Sequence, residues 1–407
     1  MKAAGLAGVD APKKSQVMEY GAGTAYFADN VRWIDSDENP LFGGKKEWQW
    51  VVTDLQQEKV ASMMPVTSFK SNIKFATIDA ASLGEPKFVY GQELLPECET
   101  RAIVANYLLG CLRWSQYKII DGNVCKAHFQ TSVKLTTQQL LEYRCESIQE
   151  FLERYKGNFS YIEHEDWIRY QNAVSLKPVY MPIDEASLSK DVLLALELSG
   201  GKEAVVNDTA IEFLRNVLKT LPPEGVFFGN EYAYSISTFE NKTKKKGCIS
   251  PLILGGTFAI GVNVEHIKLV LEQEGYSVHV AHSTYTNAYA LLCITKRENE
   301  AVSKALVHAM DTEDTFMDRA SKALKPLQEP VTDEQRTLVV QELRDIVEQY
   351  GSSYGIALRL SLEYEALGDL SEATKQARLA YQLSPHDTLA ENHYSYLSRR
   401  SIYAGLF

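Results

Sequence analysis

Four short apolar segments in the first quarter of the chain each end at a turn-forming or acidic residue. They are, in chain order, Gln16–Glu19, Trp48–Thr53, Ile73–Ile78 and Lys87–Tyr90. Short apolar runs with turn residues at their ends are typical of buried parallel strands. Because parallel strands need crossover connections, which are usually helices, the pattern predicts an α/β protein with a doubly wound, Rossmann-like sheet.

This alternation stops between residues 115 and 200 and then resumes. The interrupting stretch contains a predicted hairpin over Tyr117–Val133 and predicted helices over Gln138–Tyr155 and His164–Tyr170, so we expect an inserted cap. Downstream, the sequence predicts further strands and helices that end in an antiparallel hairpin. They are a helix over Thr209–Thr220, a strand over Val226–Phe228, a helix over Val264–Glu274, and strands over Tyr276–His282 and Ala288–Ile294.

The C-terminal part of the chain is helical in pattern and predicts a second domain. Tyr364–Ala373, with Gly368 at the turn and Ala377, Ala380 and Pro385 after it, resembles a tetratricopeptide repeat. We therefore predict a domain of residues 1–325, with the insertion at 115–200, and an all-α tetratricopeptide-like domain of residues 326–407. Such a unit would bind a partner protein, mediate a homodimer or only extend the domain.

A glycine-rich turn follows the first predicted strand. Within Val17–Phe27, Gly21 and Gly23 stand where a strand turns into a helix, so a ligand can approach the backbone and the free N–H groups of the helix. The dinucleotide pattern G-x-G-x-x-G is absent, because Tyr26 stands at its third glycine. Glu19 would repel a pyrophosphate but attract an amino group. The turn is therefore either an ordinary tight turn or a site for S-adenosylmethionine.

Two aspartates end the next two predicted strands. Asp54 can accept hydrogen bonds from both hydroxyls of a ribose, and Asp79 can meet the amino group of an adenine. Each taken alone could equally be an ordinary loop carboxylate. Together with Glu19 they put three acids at three successive strand ends, which is the edge where open α/β sheets bind their ligands.

These motifs resemble those of the MidA-like methyltransferases, within the class I group whose mostly parallel sheet also closes with an antiparallel hairpin. The family's first motif, Glu-x-Gly-Ala-Gly-Ser/Thr-Gly-x-Leu/Phe-Ala, matches Glu19–Ala28 except that Ala25 replaces a glycine. Gln92–Leu95 resembles the family's Asn-Glu-Leu/Phe-Leu segment after the fourth strand. Asn230–Tyr232 falls at its Asp-Tyr pair after the fifth. The resemblance spans roughly residues 17–295.

The resemblance implies S-adenosylmethionine as cofactor and S-adenosylhomocysteine as product. The residues expected to bind the cofactor are Glu19, Gly21, Ala22, Gly23, Thr24, Asp54, Asp79 and Gln92. The catalytic candidates are Glu93, Glu231 and Tyr232. Glu93 would steer a guanidinium or take a proton from a hydroxyl, or it would only cap the next helix. We expect no metal, because no cysteine stands with a histidine at zinc-ligand spacing.

Composition narrows the choice of partners and compartment. The net charge of −11 disfavours binding to nucleic acid, since an acidic chain repels a phosphate backbone. No segment approaches the roughly 18 uninterrupted apolar residues of a membrane span. The six cysteines form no Cys-x-x-Cys pair and are typical of free thiols in a reducing compartment. With no targeting pattern in Met1–Lys14, we expect a cytoplasmic protein.

Three hypotheses about function follow from the sequence. The chain would methylate a nitrogen or oxygen of a small molecule, such as a natural-product intermediate. Alternatively, it would methylate a protein, as the arginine methylation performed by one member of the family implies, with the helical tail recruiting the substrate. The third hypothesis is a non-catalytic interaction or assembly protein, which the replacement of a motif glycine by Ala25 keeps open.

Overall fold

The computed structural model describes most of the chain, and the following account concerns that part. The described residues are 14–22, 47–55, 57, 60, 73–82, 84, 86–88, 99–142, 144–155, 174–200, 203–234, 252–254, 257–283, 289–327, 331–350, 352–383 and 388–404. By internal contacts the chain forms two compact units, Met1–His308 and Ala309–Phe407. The domain limits that the sequence suggests, 1–325 and 326–407, stay a prediction.

The first unit contains the strands, which we number in chain order. They are β1 (Lys14–Tyr20), β2 (Glu47–Asp54), β3 (Ile73–Thr77), β4 (Lys87–Phe88), β5 (Glu99–Asn106), β6 (Ser115–Ile120), β7 (Asn123–Val133), β8 (Val174–Pro182), β9 (Glu203–Val206), β10 (Val226–Tyr234), β11 (Leu252–Leu254), β12 (Thr257–Ala259), β13 (Val262–Asn263), β14 (Ser277–His282) and β15 (Tyr289–Thr295).

The helices are numbered in the same way, and a short 3-10 turn at Leu109–Cys111 follows β5. They are α1 (Thr137–Glu142), α2 (Ile148–Tyr155), α3 (Lys190–Leu198), α4 (Asp208–Thr220), α5 (Val264–Gln273), α6 (Glu300–Ala323), α7 (Asp333–Tyr350), α8 (Tyr354–Ala366), α9 (Leu370–Leu383) and α10 (Thr388–Ala404).

The main sheet has nine strands in the order β14-β15-β10-β5-β1-β2-β3-β4, with β13 paired to β10. The pairs β3–β2, β2–β1, β1–β5 and β5–β10 are parallel. β15 runs antiparallel to both β10 and β14. A central first strand, parallel neighbours on both sides and a closing antiparallel hairpin are the arrangement of class I methyltransferases, so the predicted fold class is confirmed.

The prediction of a buried parallel strand at Lys87–Tyr90 is wrong. Lys87–Phe88 forms only a two-residue edge strand, β4, antiparallel to β3. The strand that pairs with β1 on its other side is β5, Glu99–Asn106, which was not predicted. The short apolar run at Lys87–Tyr90 satisfied the pattern of a buried strand, whereas the charged residues Glu99 and Arg101 at the start of β5 obscured the pattern there.

The insertion follows β5 and forms a separate antiparallel sheet in the order β8-β7-β6-β9. The predicted hairpin is present as β6 and β7. The predicted helix over Gln138–Tyr155 is divided into α1 and α2, with Arg144 at φ 53° and Cys145 buried between them. The predicted helix His164–Tyr170 lies outside the described residues.

An ionic contact fixes the insertion to the main layer. Arg215 of α4 donates to Asp191 of α3 at 3.0 Å and to Glu274, after α5, at 2.5 Å. The ring of His266 in α5 bonds to the carbonyl of Asp191 at 2.7 Å. The helix of the insertion is therefore tied to two helices of the sheet layer.

The main core lies between the sheet and the helices α4 and α5. Ile211, Leu214 and Leu218 follow one face of α4 at helical spacing, and all three are buried. Phe213 of the same helix packs edge-on to Tyr20 of β1, with ring centroids 5.1 Å apart. Burial of each such side chain contributes about 1.5–3 kcal/mol, so this layer holds the strand ends of the sheet in place.

The second unit is helical, as predicted for the tail. Gly368, at φ +83°, makes the turn between α8 and α9. Ala373, Ala377 and Ala380 of α9 are fully buried, which lets neighbouring helices approach closely. The assignment of this unit as a tetratricopeptide repeat stays a prediction. In the described part of the chain, no helix is both long enough and apolar enough to cross a membrane.

Candidate active site

The end of the central strand β1 is a tight turn that requires glycine. Gly21 has φ +64°, and a Cβ there would lie 2.9 Å from Cδ1 of Leu108. The N–H of Ala22 donates to the carbonyl of Thr53 at 2.9 Å, and the Thr53 hydroxyl donates to the carbonyl of Glu19 at 2.8 Å. The turn is thus held by β2 on one side and packed against the residues after β5 on the other.

The carboxyl of Glu19 is buried just before this turn. It accepts a hydrogen bond from the indole N–H of Trp50 at 2.9 Å. Burial raises the pKa of Glu19 to about 7, and the Trp50 bond opposes that rise. A carboxyl poised between its neutral and ionised forms would gain from a positive group beside it. The partner Trp50 was not predicted, although it stands in the apolar segment that became β2.

Asp54 and Asp79 lie at the ends of the two next strands, as the sequence indicates. Asp54 is largely buried and accepts from the N–H of Leu55 at 2.8 Å. Asp79 is exposed and accepts from the N–H of Ala81 at 2.9 Å and from the hydroxyl of Ser82 at 3.0 Å. Both carboxyl groups stabilise their own turns, and each has further acceptor capacity for a ligand.

The end of β5 is strained and held by β10. Tyr107 has φ +54°, in the left-handed region that non-glycine residues rarely adopt. Its N–H donates to the carbonyl of Asn230 at 2.8 Å, and the Asn230 amide donates to Oδ1 of Asn106 at 3.1 Å. These bonds fix the direction in which the Tyr107 ring leaves the backbone.

Glu231, a predicted catalytic residue, is buried beneath the turn that follows β5. Its Oε1 accepts from the N–H groups of Leu109 at 2.7 Å and Leu108 at 2.8 Å. Burial raises the pKa of Glu231 to about 8, and its bonds to Leu109, Gly110 and Leu108 lower it. These contacts make Glu231 a residue that positions the turn, and they give no support to a direct role in proton transfer.

Tyr232, the third catalytic candidate, belongs to a cluster of three tyrosines. Its ring centroid lies 4.6 Å from that of Tyr289 and 5.2 Å from that of Tyr107. The ring centroids of Tyr107 and Tyr289 are 6.1 Å apart, and the Tyr289 hydroxyl donates to the Tyr232 hydroxyl at 2.7 Å. Burial and the Tyr232 bond raise the pKa of Tyr289. Sequence reasoning missed Tyr107 and Tyr289, which come from other strands.

The remaining predicted site residues are Gly23, Thr24, Gln92 and Glu93, and all four lie outside the described residues. The reason for choosing the last two no longer holds, because the strand before them is not the fourth parallel strand. The segment at the end of β5, the strand that takes this place in the sheet, is Asn106–Leu109. It fits the Asn-Glu-Leu/Phe-Leu form with Tyr107 in the place of glutamate. Over the described ranges, histidine, cysteine and acidic side chains form no group that could hold a metal ion.

Comparisons with known proteins give structural likenesses of low identity. No protein-family model matches the chain, and no curated protein sequence matches it with significance. A likeness covers 72% of this chain and 76% of a superfamily member from Burkholderia thailandensis crystallised with S-adenosyl-homocysteine, at 13% identity and a TM-score of 0.42.

Two further likenesses cover about half of the matched chains. The CMeT domain of the citrinin polyketide synthase matches over 70% of this chain and 47% of its own, at 13% identity and a TM-score of 0.33. An O-methyltransferase family protein from Burkholderia thailandensis matches over 70% and 52%, at 8% identity and a TM-score of 0.32. Because these scores are low, the fold class rests on the strand order itself.

Proposed function

We propose that this protein is an S-adenosylmethionine-dependent methyltransferase whose acceptor is a nitrogen or oxygen of a small molecule. The observation that carries the proposal is the buried Glu19 carboxyl beside the Gly21 turn, at the end of the central strand of a class I sheet. Asp54 and Asp79 stand at the two adjacent strand ends.

The chemistry of these groups fits the cofactor. Glu19 would hold its ammonium group, Asp54 its ribose hydroxyls and Asp79 its adenine amino group. When bound, the cofactor supplies a methyl group on a sulfonium: the acceptor's lone pair forms the new bond while the S–C pair stays on sulfur, leaving a neutral thioether. Because the leaving group is neutral, the protein's contribution is mainly to align the acceptor and exclude water.

The described residues of the site offer little general-base chemistry. Glu231 is bonded to backbone N–H groups, and the raised pKa of Tyr289 keeps its hydroxyl protonated at neutral pH. An acceptor that must lose a proton would therefore release it to solvent or to a group outside the described residues.

Calorimetric titration with S-adenosylmethionine and S-adenosylhomocysteine tests this function. We expect micromolar binding that Asp54→Asn weakens about tenfold, because the variant replaces an ionised acceptor of the ribose hydroxyls. Asp311→Asn, an exposed aspartate on α6, is the matched control and should bind as the wild type does. Absence of binding to either ligand in a folded protein would overturn the proposal and favour the non-catalytic interaction protein.

A protein acceptor is the second candidate, and a groove in the helical unit favours it. The cavity has a volume of about 550 Å³ and lies among α7, α8 and α9. Its walls carry the acidic residues Asp345, Glu348, Asp369 and Glu372, against the basic residues Arg344 and Lys375. Acids outnumber bases, so a basic peptide segment suits this groove better than an acidic one.

Full-length protein with Glu348→Gln and Glu372→Gln together separates the two acceptor classes. Loss of methylation of a basic protein substrate with unchanged methylation of a small acceptor would favour recruitment by the helical unit. Equal activity of the variant and the wild type on both substrates would show that the groove does not recruit the protein, and would remove the observation that favours a protein acceptor.

A further inference from the structure

We propose that Tyr107, Tyr232 and Tyr289 form the methyl-acceptor subsite, and that this subsite takes a planar, uncharged aromatic ring. The inference rests on the methyl-transfer function proposed above and names the class of acceptor for it. We call these three residues the tyrosine cluster.

The tyrosine cluster presents aromatic surface where open sheets bind their ligands. Its members come from the ends of β5 and β10 and the start of β15, which are neighbours in the sheet. Tyr107 is 39% exposed and Tyr232 is 44% exposed, although both rings contact each other. Exposed aromatic side chains that lie side by side at a ligand-binding edge are typical of a binding surface.

The backbone holds this surface in a strained conformation. A tyrosine in the left-handed conformation is strained relative to its ordinary conformation. At Tyr107 the conformation persists because the N–H is bonded to Asn230, while the following residues are bonded to Glu231. Strain of this kind is retained where the surrounding structure fixes it, and it gathers at ligand sites.

The tyrosine cluster also adjoins the proposed cofactor turn. Leu108, the residue after Tyr107, lies so close to Gly21 that a Cβ at that glycine would be 2.9 Å from Leu108 Cδ1. Tyr20 and Ala105 are register partners in β1 and β5. An acceptor stacked on the cluster would therefore lie next to the turn that approaches the cofactor, as a direct methyl transfer requires.

The chemistry of the cluster favours a neutral ring over a cation. The carboxyl of Glu231, the residue before Tyr232, is engaged by the backbone N–H groups of Leu108 and Leu109, so it does not serve as the counter-ion that a cationic acceptor needs. A cation–π contact with the rings alone is the competing mode of binding. The Tyr289–Tyr232 hydroxyl bond adds a polar rim at which a ring substituent can form a hydrogen bond. Aromatic rings pair in tilted or offset arrangements, so a planar ring can pack against the exposed parts of these side chains.

Saturation-transfer NMR with naphthol tests the proposal on the full chain saturated with S-adenosylhomocysteine. Decahydronaphthol, its saturated analogue, controls for planarity, and ethylguanidinium tests for a cation. The variants are Tyr232→Leu, which removes the ring but keeps apolar volume, and Tyr232→Phe, which removes only the hydroxyl. We expect naphthol to bind the wild type and Tyr232→Phe similarly, and Tyr232→Leu at least about fivefold more weakly.

A separate calorimetric titration measures the binding of S-adenosylhomocysteine, which should be equal in all variants. Naphthol binding that is absent, or that Tyr232→Leu leaves unchanged, overturns the subsite while the cofactor result stands by itself. Ring-dependent binding of ethylguanidinium in place of naphthol overturns the choice of a neutral acceptor. If the cofactor product fails to bind but naphthol binding still depends on the Tyr232 ring, the tyrosine cluster is a binding surface for aromatic rings, and its role as a methyl-acceptor subsite is overturned together with the proposed methyl transfer.

Discussion

The two halves of the edge at which the parallel strands end carry different kinds of side chain. At β1, β2 and β3 the side chains are carboxyl groups, each engaged with a nearby N–H: Trp50 for Glu19, Leu55 for Asp54 and Ala81 for Asp79. At β5, β10 and β15 the edge presents tyrosine rings. The first half suits a polar, charged ligand and the second an apolar ring. One sheet can thus hold two chemically unlike molecules side by side.

The largest effect on stability is expected from replacing Gly21, which lies at the junction of the two halves. Gly21→Ala puts a side chain on a left-handed residue and against Leu108, so we expect the free energy of unfolding to fall by about 3 kcal/mol. Urea denaturation measures it. Gly200→Ala, at a left-handed glycine (φ +60°) where a Cβ meets nothing within 4 Å, isolates the backbone cost and should lower stability by only about 1–2 kcal/mol. Similar losses in both variants would contradict the close contact between the halves.

The stability contributed by the carboxylate half should depend on pH. Burial raises the pKa of Glu19 in the folded chain from its ordinary 4.5 to about 7. The folded chain therefore holds this proton up to a higher pH than the unfolded chain does, and stability falls as the pH rises through that window. Glu19→Gln cannot ionise. Its stability relative to the wild type should therefore rise by up to about 3 kcal/mol between pH 4.5 and 7.

Urea denaturation across this pH range checks the expectation. Glu212→Gln, at an exposed position of α4, is the matched control and should follow the wild-type curve. Parallel curves for Glu19→Gln and the wild type would mean that the Glu19 carboxyl is hydrated in the folded protein.

Removing the support beneath the tyrosine half should have a smaller effect. Glu231→Ala leaves the partly buried N–H of Leu108 and the buried N–H of Leu109 without their acceptor, which should cost about 2 kcal/mol of stability. Because these amides lie below Tyr107, we expect naphthol binding to weaken as well. Hydrogen exchange at the two amides reports the change, and unaltered protection there would show that Glu231 does not hold the turn.

The smallest effect is expected from the hydroxyl bond within the tyrosine cluster. Tyr289→Phe deletes the donor to Tyr232, so stability should fall by about 0.5–1 kcal/mol while the ring packing remains. Thermal unfolding measures the loss, and Tyr396→Phe, which removes an exposed hydroxyl that accepts from Arg400 at 3.2 Å, gives the comparison for a hydrogen bond at the surface. A loss above about 2 kcal/mol would indicate that this hydrogen bond holds the packing of the rings, and not only the hydroxyl groups at the edge of the cluster.

The sequence predicts the carboxylate half far better than the tyrosine half. Glu19, Asp54 and Asp79 each follow an apolar run close to them in the chain, so local pattern is enough to locate them at strand ends. Tyr107 and Tyr289 meet only because β5 and β15 both flank β10. That pairing depends on long-range register, which no local pattern contains.

The misplaced fourth strand has the same physical origin. β5 begins with Glu99 and Arg101, which form an ion pair at 3.0 Å, and its apolar character continues past Asn106 into the following turn. Neither end of β5 therefore carries a sequence signal that marks a strand boundary. Once the sheet forms, β5 is fixed by parallel neighbours on both sides, and Lys87–Phe88 is left at the edge.

The insertion between β5 and β10 also determines the order in which the sheet can be completed during synthesis. The side-chain partners Asn106 and Asn230 are 124 residues apart, so translation needs on the order of 10 s to reach the second after the first. During that interval β5 has an open parallel edge, to which another nascent chain could pair. A ribosome-bound fragment that ends before Val226 should accordingly depend on chaperones more than the finished protein does.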